Sequence, residues 1–472
     1  MLNVDALKTF IEAEWANSVM PALKQYIRIP NKSPAFDPDW ESHGYMDAAV
    51  DGMVAWCKQQ EIVGMTLEVK RLPGKTPLIF IEVAGHSADT VLLYGHLDKQ
   101  PEMVGWEPPF SPWEPVLQED KLYGRGGADD GYALFASLLS IKALQAQQIK
   151  HPRCVLMIEA CEESGSYDLP AYMDLLRDRI GQPGLVICLD SGCGNYEQLW
   201  STTSLRGLVS GILSVSLLTE GVHSGSASGI VASSFRVLRT LLSRVEDEKT
   251  GDILLPIMKT AIPAERQAQA RYAATVLGNS VYDMFPLRPT VQPMSEDLTT
   301  LILNRTWRAT LSVIGVEGIP DLASAGSVLR PETQLKLSFR LPPNCDAERA
   351  AQALKAFLEA DPPYGASVSF TPDKASKGWD APPLAPWLLA ATEKASHTYF
   401  GRSAVYMGEG GTIPFMGLLG EQYPQAQFLI TGVLGPHANA HGPNEFLHLP
   451  TAKKLTACIA EVIAQAYDAL VV

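Results

Sequence analysis

VLLYGHLD (91–98) is the stretch that decides the fold of this chain: a short apolar run ends in His96, and Asp98 follows two residues later. Two more stretches repeat the pattern. VLMIEA (155–160) runs into Cys161 and the pair Glu162-Glu163, and LVICL (185–189) runs into Asp190. Short β-rich runs separated by helical patterns read as buried parallel strands. In an open α/β sheet the active site lies beyond the carboxyl ends of the strands. The pattern therefore predicts His96, Asp98, Glu162, Glu163 and Asp190 on one rim of one sheet.

Working outward, residues 1–30 and 45–60 read as helices, and 66–71 and 77–84 as strands. A Pro- and Trp-rich loop (101–115) leads to a hairpin around LYGRGGADD, then to a helix in GYALFASLLSIKALQAQQ. Strand 154–160, helix 168–180 and strand 185–189 complete a βαβ series, which implies a mainly parallel sheet. The style changes after Leu205. RGLVSGILSVSLL and LKLSFRL (335–341) alternate like antiparallel strands, and 229–247 and 347–360 carry helical periodicity. The βα style returns at 384–400 and 427–433. The expected organisation is a catalytic domain over 1–206 and 373–472, interrupted by an α+β domain at 207–372.

Composition excludes several classes. The 472 residues carry a net charge of −14, with no basic run, so nucleic acid is not an expected partner. No stretch has the ~20 apolar residues of a membrane span. The first residues read as an amphipathic helix rather than a signal peptide, and a cytoplasmic location is expected. Seven scattered cysteines without a CxxC pair read as reduced core residues.

His96, Asp129, Glu163 and Asp190 offer oxygen and nitrogen donors without cysteine, a set suited to Zn²⁺, Mn²⁺ or Co²⁺. One more His, from GPHANAHGPNEF (435–446), completes two metals sharing a carboxylate; His437 and His441 are the candidates. Such a pair activates water between two ions. Each residue also has a plainer reading. Asp129-Asp130 could cap a helix, Asp190 a turn, and Glu162-Glu163 could be a solvated face. Asp98 could hold the His96 ring from behind. Joint placement on one rim favours the metal reading.

GHLDKQP, GWEPPFSPWEP, KLYGRGGADD, EACEESGS, LDSG, GVHSG, SFRLPP, GEGGTIP and AHGPNE occur in that order between about residues 90 and 447. Together they resemble the co-catalytic metallopeptidases of the carnosine dipeptidase and cytosolic Cys-Gly dipeptidase type, peptidase family M20. The resemblance implies a phosphorylase/hydrolase-like α/β catalytic domain with an inserted α+β lid domain that makes a homodimer. It implies two divalent ions, Zn²⁺ first and Mn²⁺ or Co²⁺ as alternatives. His96, Asp129 and Asp190 would hold one, and Asp129, Glu163 and His441 the other. His441 is preferred to His437 because it opens the H-x-x-N-E stretch. Glu162 would be the general base and Asp98 the supporting carboxylate. A cis peptide is expected between Asp129 and Asp130.

Asp at position 190 favours a dipeptidase over desuccinylases, acylases and the folate-cleaving carboxypeptidase, where Glu is usual. His223 would stabilise the oxyanion across the dimer. Arg340, with Gly410, Gly411 and Thr412, would clamp the carboxylate of a small peptide substrate. One departure stands out: Gly131 and Tyr132 follow the Asp pair where the family usually has Lys. The rival readings are an N-acyl amino acid deacylase or carboxypeptidase, and an inactive scaffold.

Overall fold

The computed structural model describes residues 2–470. The chain forms two compact units. The first holds the chain up to Thr202, Ala381–Tyr406 and the chain from Leu418; the second holds Thr203–Asp380 and Met407–Gly417.

The first unit is built on a six-stranded sheet, in the order Met65–Lys70, Leu78–Val83, Arg153–Glu159, Thr90–His96, Pro183–Cys188, Gln427–Ile430. The last four strands run parallel, and the first two are antiparallel additions at one edge. All seven residues of Thr90–His96 are buried, which is why that run is unbroken by polar residues. Helix Tyr132–Ala146 is buried on nearly every side and packs against this strand and against helix Leu449–Leu470. It runs as one apolar block because it has no solvent face. All seven cysteines are buried. Among the described residues no helix is long and apolar enough to cross a membrane.

The second unit carries a four-stranded antiparallel sheet, in the order Thr310–Glu317, Glu332–Leu341, Gly207–Ser216, Ser367–Ser376. Glu332–Leu341 alternates buried and half-buried residues along its length, as a sheet with one covered face requires. Helix Ser234–Val245 covers that face with Val237, Leu238, Leu241 and Val245.

The unit borders differ from the expected 206/207 and 372/373. Strand Ser367–Ser376 pairs with Gly207–Ser216, and Trp379–Asp380 pairs with Leu205 and Ser204, so the ladders carry the border to Asp380. Residues 407–417, expected in the catalytic part, group with the second unit. Their anchor is Arg206, whose carbonyl accepts the Thr412 hydroxyl (2.5 Å) and whose Nε donates to the Gly410 carbonyl (3.3 Å). The helix expected at 229–247 begins only at Ser234. The helix expected over 1–30 is interrupted by a wider π-turn at Trp15–Val19, between Val4–Glu14 and Met20–Ile27.

Candidate metal centre

All the candidate ligands lie in the first unit, most of them where a regular element gives way to a loop. His96 ends strand Thr90–His96. Glu162 and Glu163 open a single turn just beyond Arg153–Glu159, and Asp190 stands two residues past Pro183–Cys188. Asp129 follows the left-handed Gly126 (φ 80°), and the Asp129–Asp130 peptide is cis, as expected. His441 lies in the loop before strand Phe446–His448.

The Asp129 carboxylate faces two ways. Its Oδ1 is 3.3 Å from His96 Nε2, and Asp190 Oδ2 is 3.7 Å from the same nitrogen. Its Oδ2 is 3.1 Å from His441 Nε2, and Glu163 Oε2 is 3.2 Å from that nitrogen. Two donor triads result, His96–Asp129–Asp190 and Asp129–Glu163–His441, each with its atoms within 4.8 Å of one another. His437 is exposed and belongs to neither.

The donors fit a pair of cations. His96 Nδ1 lies 3.1 Å from the Asp98 carbonyl; donating there leaves Nε2 as the nitrogen facing the two carboxylates. A bare nitrogen and two carboxylates can share that space only around a proton or a metal ion. Glu163 Oε1 and Asp130 Oδ1 are buried with no hydrogen-bond partner among the described residues, a costly state for a carboxylate oxygen.

Electrostatics points the same way. Burial pushes the Asp190 carboxyl up to about 7, helped by the charges of Asp129 and Glu163 and opposed by His96. Burial, then the charge of Asp190, raises Glu162 well above the usual carboxylate range. Burial and Asp129 raise Glu163. Burial would raise Asp129 too, but hydrogen bonds from His441 and His96 more than offset it and hold it low. Two imidazoles do not balance so many buried carboxylates, and a bound cation inverts this pattern.

Asp98 does more than back the His96 ring. Its two oxygens accept the backbone N–H groups of Glu162 (3.1 Å) and Glu163 (3.0 Å). Gln100, which the sequence reading passed over, donates to Glu163 Oε2 at 2.6 Å. The Gly131 departure also acquires a cause. A Cβ at position 131 would stand 2.2 Å from the Tyr26 ring and 2.6 Å from the Gly126 carbonyl. Tyr26 uses that space to donate its hydroxyl to the Leu97 carbonyl (2.8 Å), and Tyr132 donates to the Leu189 carbonyl (2.5 Å). Two tyrosines thus brace the residues next to His96 and Asp190.

The remaining candidates lie in the second unit. His223 is exposed on the short strand Val222–His223. Arg340 Nη1 donates to the Thr412 hydroxyl at 3.4 Å and has no acidic partner among the described residues; burial lowers its pKa. Gly410 packs against Arg206 and Arg305: a Cβ there would stand 3.2 Å from Arg206 Nη2 and 3.0 Å from the Arg305 carbonyl.

The sequence profile of peptidase family M20/M25/M40 matches residues 92–465. The chain belongs to this family. As an M20 metallopeptidase it is a hydrolase. It is 24% identical over 363 residues to a cysteinylglycine-S-conjugate dipeptidase of Corynebacterium striatum, covering 76% of this chain and 77% of that one. It is 25% identical over 401 residues to the human Beta-Ala-His dipeptidase, covering 82% and 77%. The solved structure of the di-peptidase Dug1p of Saccharomyces cerevisiae superposes with a TM-score of 0.77 at 21% identity, over 98% of this chain and 99% of that one. The M20 fold of a catalytic α/β domain with an inserted lid is thereby shared.

Proposed function

We propose that this M20 protein is a dipeptidase whose catalytic centre holds two divalent ions and whose substrate carries a free C-terminal carboxylate. The observation that carries this reading is the divided Asp129 carboxylate, with one oxygen toward each donor triad. His96, Asp129 and Asp190 hold one ion; Asp129, Glu163 and His441 hold the other. Zn²⁺ suits these donors best, and Mn²⁺ and Co²⁺ are the alternatives. Such ions supply Lewis acidity, lowering the pKa of water and polarising the scissile carbonyl. Glu162 takes the proton of the attacking water and passes it to the leaving amine. Burial and the charge of Asp190 raise its carboxyl; nearby cations would bring it back down and leave it ionised, ready to accept the proton.

Arg340 receives the substrate carboxylate with the Thr412 hydroxyl beside it, and the backbone N–H groups of Gly410 and Gly411 complete the clamp. A half-buried guanidinium without an acidic partner among the described residues is suited to an anion from outside. His223 stabilises the oxyanion, supplied by the second copy of a homodimer joined through the inserted domain. A protein of this kind acts on small peptides in the cytoplasm.

The deciding assay compares dipeptides with their C-terminal amides and with N-acetyl and N-succinyl amino acids. Dipeptides are expected to be cleaved, amides hardly at all, and Arg340→Ala should erase that preference. Losing a desolvated ionic contact costs about 2–5 kcal/mol, so kcat/KM for the dipeptide should fall by at least tenfold. Faster turnover of N-acyl amino acids would replace the dipeptidase reading with a deacylase one.

A further inference from the structure

His441 differs from the other candidate ligands in how it is held. Its side chain is 56% exposed, whereas those of His96, Asp129, Glu163 and Asp190 are exposed by 10% or less. The loop around it has no regular structure, and His437, Asn439, His441 and Asn444 all have positive φ. Something outside the loop must fix His441 against Asp129.

Arg125 does this. It is 1% exposed and spends its donors on three acceptors. Nη1 binds Glu445 Oε2 at 2.6 Å, Nη2 the Gly442 carbonyl at 2.7 Å, and Nε the Pro101 carbonyl at 3.2 Å. Glu445 reaches back in turn. Its Oε1 accepts the N–H groups of Gly126 (3.0 Å), Ala128 (3.3 Å) and Asp129 (3.4 Å). The Asp129 turn and the His441 loop are thus laced together by one buried ion pair, four residues from each ligand. Both charges are fully used, the condition under which a buried pair fixes geometry.

We propose that Arg125, acting with Glu445, is a positioning residue that sets the metal affinity of the Asp129–Glu163–His441 triad more than that of its neighbour. The proposal rests on the two-ion reading of the site. The triad of His96, Asp129 and Asp190 shares Asp129 with the lacing but takes no ligand from the loop, so it should lose less when the pair is broken. Supporting groups behind metal ligands typically contribute 10–100-fold in affinity.

The test is calorimetric titration of Zn²⁺ into chelator-treated full-length protein. Unmutated protein should take up two equivalents. Arg125→Lys keeps the charge but cannot serve three acceptors. It should bind one equivalent at least tenfold more weakly and change the affinity of the other by clearly less. Glu445→Gln should give the same split, and serves if Arg125→Lys does not fold. Lys394→Met breaks a pair with Glu461 elsewhere in the unit and controls for lost stability: it should leave both equivalents unchanged. Two unaltered equivalents in both Arg125→Lys and Glu445→Gln would overturn the proposal. So would equal weakening of both equivalents in step with a lower Tm. Uptake of one equivalent by unmutated protein would instead overturn the two-ion reading, and the proposal with it.

Discussion

Glu162 and Glu163 share a backbone anchor, since Asp98 accepts the N–H of each. Their carboxyl groups part company there. Glu163 Oε2 lies against His441 and Gln100, while Glu162 belongs to neither donor triad. Glu162→Gln should therefore keep two bound ions and lose most turnover, because an amide accepts no proton. Glu163→Gln should lower metal content. Metal analysis beside kcat for both variants checks this, and the reverse pattern would exchange the two roles. How far such residues can be read from sequence depends on what holds them. His96 and Asp190 end buried strands, so an apolar run pointed at them. His441 sits in left-handed loop backbone without period, and only the resemblance selected it over His437. Gln100 and Arg125 gave no signal, because their partners lie far along the chain and emerge only on folding.

At the level of elements, helix Tyr132–Ala146 begins against the ring of Tyr26 with no room for a side chain at Gly131. Gly131→Ala should cost about 1–3 kcal/mol, the usual penalty for overpacking. Tyr26→Ala should recover part of the loss in the double variant, a coupling that thermal or urea denaturation of the four proteins would measure. Additive losses would mean that the two residues do not meet as described. The helix itself was plain in the sequence, as were the three ligand-bearing strands, because burial on all sides writes an unbroken apolar run. Strands Thr310–Glu317 and Ser367–Ser376 went unread. Each has a register shift, at Val313/Gly315 and Pro372/Lys374, and each leaves much of its surface exposed. Bulges break the period of two on which strand reading depends.

For the whole molecule, ions bound by the native chain alone stabilise it by mass action, about 2.7 kcal/mol per site at a free concentration 100 times Kd. Prolonged chelation should therefore abolish hydrolysis and lower Tm, and added Zn²⁺ or Mn²⁺ should restore both. Unchanged activity after metal removal would end the metal reading. His223 and Glu162 lie in different units. Removing an oxyanion donor costs roughly 10²–10³ in turnover, so His223→Ala should depress kcat while leaving metal content intact. Mixed with Glu162→Gln chains it should regain activity if the histidine serves a neighbouring copy; inert hybrids would place it within its own subunit. The spread of the donors, from residue 96 to residue 441, has a consequence for synthesis. A nascent chain that has emerged as far as Asp190 already carries one complete triad, yet lacks His441 and helix Leu449–Leu470, which packs against Tyr132–Ala146. The second triad and the closing of the core arrive together, with the segment that follows residue 430. A nascent chain therefore cannot complete both donor triads until the segment that carries His441 has emerged.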